Sequence, residues 1–194
     1  IIGPQIEPMQ GPPLQYQRKK LWDGVPAVVE EVWKEFGEIF GRKYDPWIEQ
    51  YMTEDADYII VGIGAHAETA KVVAKKLRNL GEKVGVARIS TFRPFPTKQL
   101  REVLANAKGV GVFDVSNSFG ITGRTGPVQA EVKAALYGVS NVPVLGFLGG
   151  LGGEVFTREE FYYIFKLIKE YADAGKHPEA DQSWVSPFDL EEME

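Results

Sequence analysis

The sequence predicts a three-layer α/β/α domain built on an open, mostly parallel sheet. Short apolar runs rich in β-branched residues alternate with segments of helical periodicity, and short loops join them. The runs at Tyr58–Ile63 and Lys83–Ser90 are largely continuous in their apolar character and do not alternate. Strands of this kind are buried on both faces, which is typical of a parallel sheet with helices on each side. The regular alternation of strand and helix favours the same architecture.

The predicted elements follow one another in a regular order. Four strands are predicted, at Tyr58–Ile63, Lys83–Ser90, Val110–Val115 and Val142–Phe147. Helices are predicted at Val25–Phe40, at Ala67–Leu80, at Thr97–Ala107, from Pro127 onwards and after Thr157. Gly41 is well placed to end the first helix. The segment Thr157-Arg158-Glu159-Glu160 has the pattern of a capping box and indicates the start of the last helix.

Composition divides the chain into four segments. Residues 1–24 are rich in proline and predict an extended connector arm. Residues 25–56 predict a helix and a linker, residues 57–173 predict the α/β domain, and residues 174–194 predict an acidic tail with apolar residues at Trp184, Phe188 and Leu190. Because the chain starts at Ile1 in a proline-rich stretch, we expect it to be the C-terminal part of a longer polypeptide. A processed intact protein is the alternative.

The composition also excludes several classes of function. The chain has no cysteine, which excludes disulfides, iron–sulfur ligation and cysteine nucleophiles within it. Its net charge of −5 argues against nucleic-acid binding, which usually needs a basic face. No apolar run approaches the roughly 20 residues of a membrane-spanning helix. We therefore expect neither nucleic acid nor a membrane among the partners of this chain.

One glycine motif has the form of a dinucleotide-binding fingerprint. Gly62-x-Gly64-x-x-Ala67 follows a predicted strand and opens a predicted helix, as such a fingerprint requires. The acidic residue that would bind a ribose is missing at the end of the next strand, where Ser90 and Thr91 stand. A tight turn with close packing of helix on strand is the simpler interpretation. A standalone nucleotide-binding module is kept as an alternative function.

Polar residues near the predicted carboxyl ends of the strands form a candidate pocket or interface. Open α/β sheets bind their ligands at this edge. The candidates are His66, Arg93, Asp114, Asn117, Ser118 and Arg124. The structural alternatives are a helix-start residue for the histidine and, for the Asp–Ser–Asn loop, side-chain hydrogen bonds to its own backbone. No Ser–His–Asp order, metal-ligand spacing or carboxylate pair predicts a catalytic residue or a metal site in this chain.

The second predicted strand leads into an unusual turn, Phe92-Arg93-Pro94-Phe95-Pro96. A residue that precedes proline is disfavoured from the helical region, so Arg93 and Phe95 are expected to be extended and the turn to be stiff. Arg93 is suited to hydrogen bonds with carbonyls or a carboxylate across an interface. We expect the turn to make an architectural contact between domains or subunits. A stiff turn with Arg93 in solvent is the alternative.

Several motifs in a fixed order resemble one family. They are Phe92–Pro96, Asn117–Gly120, Gly126–Val128 and the glycine-rich Gly146–Gly153. Over residues 25–170 the chain is similar to the C-terminal part of the alpha subunit of the thiamine-diphosphate-dependent 2-oxoacid:ferredoxin oxidoreductases, which include pyruvate:ferredoxin oxidoreductase. The resemblance implies a domain of the transketolase C-terminal type, with three layers and a mixed five-stranded sheet in which one strand is antiparallel.

The resemblance also implies where the chemistry lies. Thiamine diphosphate, Mg and [4Fe-4S] clusters would be bound by other domains or subunits, and this chain would be mainly structural, with no catalytic or cofactor-binding residue. It would not be active alone, its partners would be the other subunits and ferredoxin, and the complex would be cytoplasmic.

Two departures from the family pattern bear on the substrate. The family commonly has arginine where Val115 stands and Arg-Asp where Glu154-Val155 stands. We therefore expect a member that acts on pyruvate or a divergent member that acts on another 2-oxoacid such as oxalate. A non-catalytic interaction domain, which would clamp other subunits through residues 1–24 and 174–194, is a further alternative.

Overall fold

The computed structural model describes residues 8–121, residues 126–179 and the backbone of residues 184 and 185. The chain divides into two compact units, Ile1–Pro46 and Trp47–Glu194. Each unit has its own secondary structure.

The first unit consists mainly of one long helix. A short 3-10 turn at Pro8–Gln10 precedes α1, which runs over Gly11–Phe40. The expectation of an extended arm up to residue 24 is therefore wrong from Gly11 onwards. Prolines at the first positions of a helix lose no hydrogen bond, because the N–H groups of the first turn have no partner within the helix. Gly41 ends α1 in the left-handed conformation, as predicted, with φ of 65°.

The helix α1 has no buried residue. One side carries an aromatic cluster, in which Trp33, Phe36 and Phe40 lie beside Tyr44 from the segment after the helix. Ring centroids in this cluster are 4.6 to 6.3 Å apart, the range of favourable aromatic contacts. Pro26 lies inside the helix and removes the N–H that would bond the carbonyl of Trp22.

The second unit is built around a sheet of six strands among the described residues. The strands are β1 at Ile48–Tyr51, β2 at Tyr58–Ile63, β3 at Val84–Ile89, β4 at Gly109–Asp114, β5 at Val144–Leu148 and β6 at Trp184–Val185. Their order across the sheet is β1-β3-β2-β4-β5-β6. Only the pair of β1 and β3 is antiparallel among these strands. The four strands predicted from the sequence are present, with ends that differ by at most two residues.

Four helices cover the two faces of this sheet. They are α2 at His66–Asn79, α3 at Thr97–Val103, α4 at Pro127–Leu136 and α5 at Arg158–Asp173. One face carries α2 and α5, which contact each other, and the other carries α3 and α4. The predicted capping box at Thr157 is present, and its backbone N–H donates to the carboxylate of Glu160. The predicted three-layer α/β/α fold is confirmed.

The strand β1 replaces part of the linker that the sequence predicted. It lies at the edge of the sheet and pairs Ile48 with Ile89 and Glu49 with Arg88. Its sequence, Ile-Glu-Gln-Tyr, alternates weakly because an edge strand is only partly covered. The antiparallel strand implied by the resemblance is thus found in a segment with little apolar pattern.

The predicted tail contributes a short strand at the opposite edge of the sheet. The backbone of Trp184–Val185 pairs in parallel with Phe147 and Leu148 of β5. Phe188 and Leu190, which we expected as anchors for a partner, lie outside the described residues. Within the described part of the chain, no helix is long and apolar enough to cross a membrane.

Candidate functional site

The carboxyl ends of β2, β4 and β5 meet at one edge of the sheet, because these strands are parallel. Three segments leave the sheet there: the turn before α2, residues 115–121 after β4, and the glycine-rich residues 149–156 after β5. Most of the candidates predicted from the sequence therefore come to the expected edge. Their contacts decide what this edge can do.

His66 is the first residue of α2 and lies half-buried among aromatic rings. Its ring centroid is 5.3 Å from that of Phe113 and 6.4 Å from that of Phe156. Gly150, with φ of 68°, closes over the imidazole so tightly that a Cβ would come within 3.1 Å of Nε2. The imidazole makes no hydrogen bond to the described residues. The histidine packs as part of the core at this edge.

Asp114 ends β4 and is 3% exposed. Its two carboxylate oxygens accept hydrogen bonds from the backbone N–H groups of Val128 and Gln129, each at 3.1 Å. The aspartate therefore caps α4 from a neighbouring strand, in the place of an N-cap residue. Burial raises its pKa to about 6, although the two N–H bonds act in the opposite direction. Both oxygens are engaged in holding α4 against β4.

Gly126 is required for this contact. A Cβ at position 126 would lie 2.1 Å from Cγ and 2.4 Å from Oδ2 of Asp114. Real Cβ atoms do not approach so closely, and the buried aspartate has little room to move. The pair is a local device that joins the end of β4 to the start of α4.

Next to this cap, the side chain of Gln129 is completely buried. Its amide oxygen and nitrogen have no hydrogen-bond partner among the described residues. Buried polar groups of this kind are uncommon and destabilising. Nothing in the sequence distinguishes this glutamine from the exposed polar residues of α4.

The remaining loop candidates form no constellation with Asp114. Asn117 and Ser118 are half-buried, whereas Val115 and Phe119 are exposed. The backbone N–H of Ile121 donates to the Ser118 carbonyl at 3.4 Å. Arg124 lies outside the described residues.

Arg93 lies in the aromatic–proline turn between β3 and α3. Its guanidinium bonds Oε1 of Glu131 in α4 at 2.6 Å and the carbonyl of Phe92 at 3.0 Å. It also covers the Phe92 ring, 4.1 Å from the centroid. The carboxylate that Arg93 contacts thus lies within the same unit of the chain, and the expected contact across an interface stays a prediction. Arg93 and Asp114 both contact α4, whereas His66 lies on the side of α2 and α5.

A cluster of charged side chains was not predicted from the sequence. Lys71 of α2 is nearly buried and contacts Oε1 of Glu49 at 2.5 Å and Oε1 of Glu68 at 2.8 Å. Arg88 of β3 contacts the same two carboxylates, with 3.2 Å to Glu68. Burial alone would raise the pKa of Glu49, but hydrogen bonds and charges of Lys71 and Arg88 outweigh it and lower that pKa. The sequence contained no sign of this cluster, because the strand that carries Glu49 was not itself predicted.

Two pockets lie at the opposite, amino-terminal edge of the sheet. One has a volume of about 220 Å³ and is lined by residues that include Lys133, Tyr137 and His177. Burial lowers the pKa of Lys133. The other, of about 180 Å³, lies between α2 and α5 beside Tyr58 and Lys169. Neither contains a candidate residue, and open α/β sheets bind ligands at the other edge.

The sequence does not fit the iron–sulfur clusters that the resemblance implies, and the described residues offer no cluster of metal ligands. Iron–sulfur clusters are held by cysteine thiolates, and the sequence has no cysteine. Among the described residues, no group of three or more His, Asp or Glu side chains is placed to hold a metal ion. Two acidic side chains at the expected edge, Asp114 and Glu68, are engaged by N–H groups or by cations.

The glycine fingerprint has the backbone of a strand–turn–helix unit. Gly64 has φ of 74°, and α2 begins two residues later. Glu68, however, stands in the first turn of α2, where a bound pyrophosphate would meet a negative charge. Its ion pairs with Lys71 and Arg88 hold it near that turn. Nucleotide binding stays a prediction that this geometry disfavours.

Comparison with known proteins agrees with the motif order. Residues 56–161 match the family model for pyruvate:ferredoxin oxidoreductase core domain II. The chain is 36% identical to ketoisovalerate oxidoreductase subunit VorA of Pyrococcus horikoshii over 176 residues, which are 90% of this chain and 44% of that protein. It is 41% identical to pyruvate synthase subunit PorA of Thermotoga maritima over 152 residues, 77% of this chain and 38% of that protein. The chain thus spans less than half the length of these relatives.

Solved structures support the fold. A 2-oxoglutarate:ferredoxin oxidoreductase from Magnetococcus marinus superposes with a TM-score of 0.52 at 19% identity, covering 88% of this chain and 24% of that one. A split-gene transketolase superposes with a TM-score of 0.51 at 18% identity, covering 66% of this chain and 43% of that one. The transketolase-like architecture is therefore confirmed. The chain belongs to the pyruvate:ferredoxin oxidoreductase family, whose core domain II it contains.

Proposed function

We propose that this chain is part of the alpha subunit of a thiamine-diphosphate-dependent 2-oxoacid:ferredoxin oxidoreductase and serves mainly to build and join the complex. The match over residues 56–161 carries the proposal. The assembled enzyme would decarboxylate a 2-oxoacid oxidatively, pass the two electrons to ferredoxin and transfer the remaining acyl group to an acceptor, either a thiol such as coenzyme A or water. We place the complex in the cytoplasm, a reducing compartment.

The side-chain contacts support a structural role. Asp114 holds α4, Arg93 bonds Glu131, and the cluster around Lys71 joins β1, β3 and α2. With these groups engaged and no cysteine in the sequence, thiamine diphosphate, Mg and the [4Fe-4S] clusters would be bound by other domains or subunits. The cofactor would supply the chemistry of decarboxylation, and this chain would position its neighbours.

We propose that the substrate belongs to the class of 2-oxoacids. The names of relatives include ketoisovalerate, pyruvate and phenylglyoxylate enzymes. Pyruvate is the first candidate. Oxalate is kept as a divergent candidate, because Val115 and Val155 present exposed apolar side chains where the family pattern has charged ones.

The test compares the isolated chain with the complex purified around it. Each is supplied with thiamine diphosphate, Mg²⁺, ferredoxin and one of a panel of 2-oxoacids, with and without coenzyme A as the acceptor of the acyl group. Ferredoxin reduction is followed by absorbance. We expect the complex to reduce ferredoxin with at least one 2-oxoacid and the isolated chain to show no turnover. Turnover by the chain alone would overturn the structural role, and inactivity of a cofactor-loaded complex with every 2-oxoacid would overturn the reaction class.

A further inference from the structure

The pocket that includes Lys133 lies at the amino-terminal edge of the sheet, opposite the candidate site. It is formed by the last turn of α4, the loop that follows, the start of β5 and the segment after α5. Its volume is about 220 Å³. At roughly 30 Å³ for each water, this space equals about seven waters, so it suits a ligand of about seven non-hydrogen atoms.

The pocket wall is apolar over half of its residues and has no acidic side chain. The aliphatic part consists of Leu136, Val142, Val144 and Pro178. Leu136 and Val144 belong to the buried core, and the other two are half-buried. No aspartate or glutamate lines the pocket. Its walls therefore suit the apolar body of a ligand, and nothing in them repels an anion.

The half-buried Lys133 is the charged group of this pocket. Its ammonium makes no hydrogen bond and no ion pair to the described residues. Burial lowers the pKa of Lys133, because the cation loses water without gaining a carboxylate in return. An anion beside the ammonium would compensate for that loss of water.

The carboxyl end of α4 does not supply this partner. A lysine in the last turn of a helix can bond the last carbonyls. Here the carbonyl of Ala135 accepts a hydrogen bond from Nε of Arg101 at 2.7 Å, and that of Leu136 accepts one from the backbone N–H of Ser140 at 3.1 Å. Because other donors serve these carbonyls, the Lys133 ammonium is left for a ligand.

Ser140 adds a second donor to the pocket. Its Oγ accepts a hydrogen bond from the backbone N–H of Val142 at 3.2 Å. A hydroxyl that accepts in this way keeps its own hydrogen to donate. No described residue accepts that hydrogen. The pocket therefore presents one ammonium and one hydroxyl beside aliphatic walls.

The neighbouring pocket at the same edge of the sheet is different. Its two lysines already have carboxylate partners: Lys169 contacts Glu82 at 2.6 Å, and Lys166 contacts Glu170 at 3.7 Å. An anion that entered this second pocket would have to displace those partners. Of the two pockets, only that of Lys133 offers a cation without a carboxylate.

We propose that the pocket of Lys133 binds a small aliphatic carboxylate, held by the Lys133 ammonium and the Ser140 hydroxyl. The carboxylate accepts hydrogen bonds from these two groups, and the aliphatic body packs against Leu136, Val142 and Val144. An inorganic anion lacks the apolar body, and a neutral amide lacks the charge. The inference does not depend on the proposed activity, because its test measures binding to this chain alone.

Three probes separate the contribution of charge from that of shape. Isovalerate has the charge and the apolar body, isovaleramide has nearly the same shape without the charge, and phosphate has charge without the body. Each is titrated into the 15N-labelled chain at pH 7, and the backbone amide shifts are followed by NMR. We expect isovalerate to bind with a dissociation constant of about 1 mM, as suits a ligand of this size. Isovaleramide and phosphate should bind at least tenfold more weakly.

The largest shifts should occur at the backbone amides of Ser140, Val142 and Val144. Binding of isovaleramide or phosphate as tight as that of isovalerate would overturn the class of ligand. Shifts confined to other parts of the chain, or no saturable shift with isovalerate, would overturn the site.

Two variants test the residues assigned to the carboxylate. Lys133→Met removes the charge and keeps an unbranched apolar side chain, and it should weaken isovalerate binding at least tenfold. Ser140→Ala should weaken it about threefold, the loss of one hydrogen bond. The matched control is Lys75→Met, which removes the same charge from an exposed residue of α2 and should bind within twofold of the parent. Circular dichroism checks that each variant is folded. Parent-like binding by Lys133→Met, or equal loss in Lys75→Met, would overturn the proposal.

Discussion

In the central strands of the α/β unit the large apolar side chains are buried on both faces of the sheet, whereas in α1 no side chain is buried. Ile59, Val61 and Leu145 are each at most 1% exposed, but Leu21 of α1 is 74% exposed. The α/β unit therefore has its own hydrophobic core, whereas α1 has an apolar face but no core. A helix in water gains most of its stability from packing such a face, and the helices of the α/β unit pack theirs against the sheet.

Ion pairs show the same contrast. Lys71 in the α/β unit is nearly enclosed and contacts two carboxylates, whereas Lys19 and Asp23 of α1 form an exposed pair one turn apart. Exposed pairs contribute little to stability, because water and salt screen them. Changes to the ion pairs of the α/β unit should therefore alter its free energy of unfolding, and equivalent changes to the exposed pair in α1 should alter the free energy of unfolding little.

The largest effect is expected at the contact between Asp114 and α4. Gly126→Ala would place a Cβ 2.1 Å from Cγ of Asp114 and should destabilise the chain by about 3 kcal/mol. Gly62→Ala in β2 is the control, because the nearest atom to its Cβ is a carbonyl oxygen at 3.8 Å. Urea unfolding followed by circular dichroism measures both. Equal midpoints for the two variants would contradict the close approach.

The pH dependence of stability should reveal the buried carboxylate. Burial raises the pKa of Asp114 from 3.8 to about 6, so its stabilising contribution is complete below pH 3.8 and is lost as pH rises through about 6. The difference in free energy of unfolding between the parent and Asp114→Asn should shrink as pH rises from 4 to 7. The change is at most about 3 kcal/mol. A difference that is constant over this range would contradict the raised pKa.

The charged cluster provides a direct comparison of the two units. Lys71→Met leaves Glu49 and Glu68 sharing Arg88 and should destabilise the chain by about 2 kcal/mol. Lys19→Met in α1 removes an exposed ion pair and should change the free energy of unfolding by less than about 0.5 kcal/mol. The midpoints of thermal unfolding, measured by calorimetry at low and at high salt, distinguish the two variants. A larger effect at Lys19 would reverse the comparison.

The sequence predicted the parts whose pattern is local. The strand Tyr58–Ile63 begins and ends where the sequence predicted, because its continuous apolar run is buried on both faces of the sheet. β1 was missed, since an edge strand with the sequence Ile-Glu-Gln-Tyr is covered only in part. The first half of α1 was missed because Pro12 and Pro13 suggested a connector, although prolines are tolerated in a first turn.

The candidate site was predictable in position but not in role. His66 and Asp114 come to the carboxyl edge as expected, because strand order alone brings them there. The partners of Asp114 are backbone N–H groups 14 and 15 residues later, and no pattern links them. The cluster around Lys71 joins three elements, so its members appeared separately as ordinary surface charges.

A gain in stability is expected at Gln129. Its buried amide has no hydrogen-bond partner among the described residues, so replacing it by an unbranched apolar side chain removes two unsatisfied groups. Gln129→Met should stabilise the chain by about 1 kcal/mol in urea unfolding. Glu131→Gln, at a partly exposed position two residues further along α4, serves as the control. Loss of stability in Gln129→Met would show that the amide is satisfied in solution.

The smallest effect on stability, and the sharpest test of assembly, is expected at Arg93. Its side chain is 50% exposed, and its pair with Glu131 should contribute no more than about 0.5 kcal/mol to the free energy of unfolding. If the aromatic–proline turn contacts a neighbouring subunit, Arg93→Ala should leave the midpoint of unfolding nearly unchanged and yet lower the yield of assembled complex in size-exclusion chromatography. Glu131→Gln removes the same intrachain pair and keeps the arginine, so it should assemble normally. An Arg93→Ala chain that assembles and turns over like the parent would leave this residue with only its contact to α4.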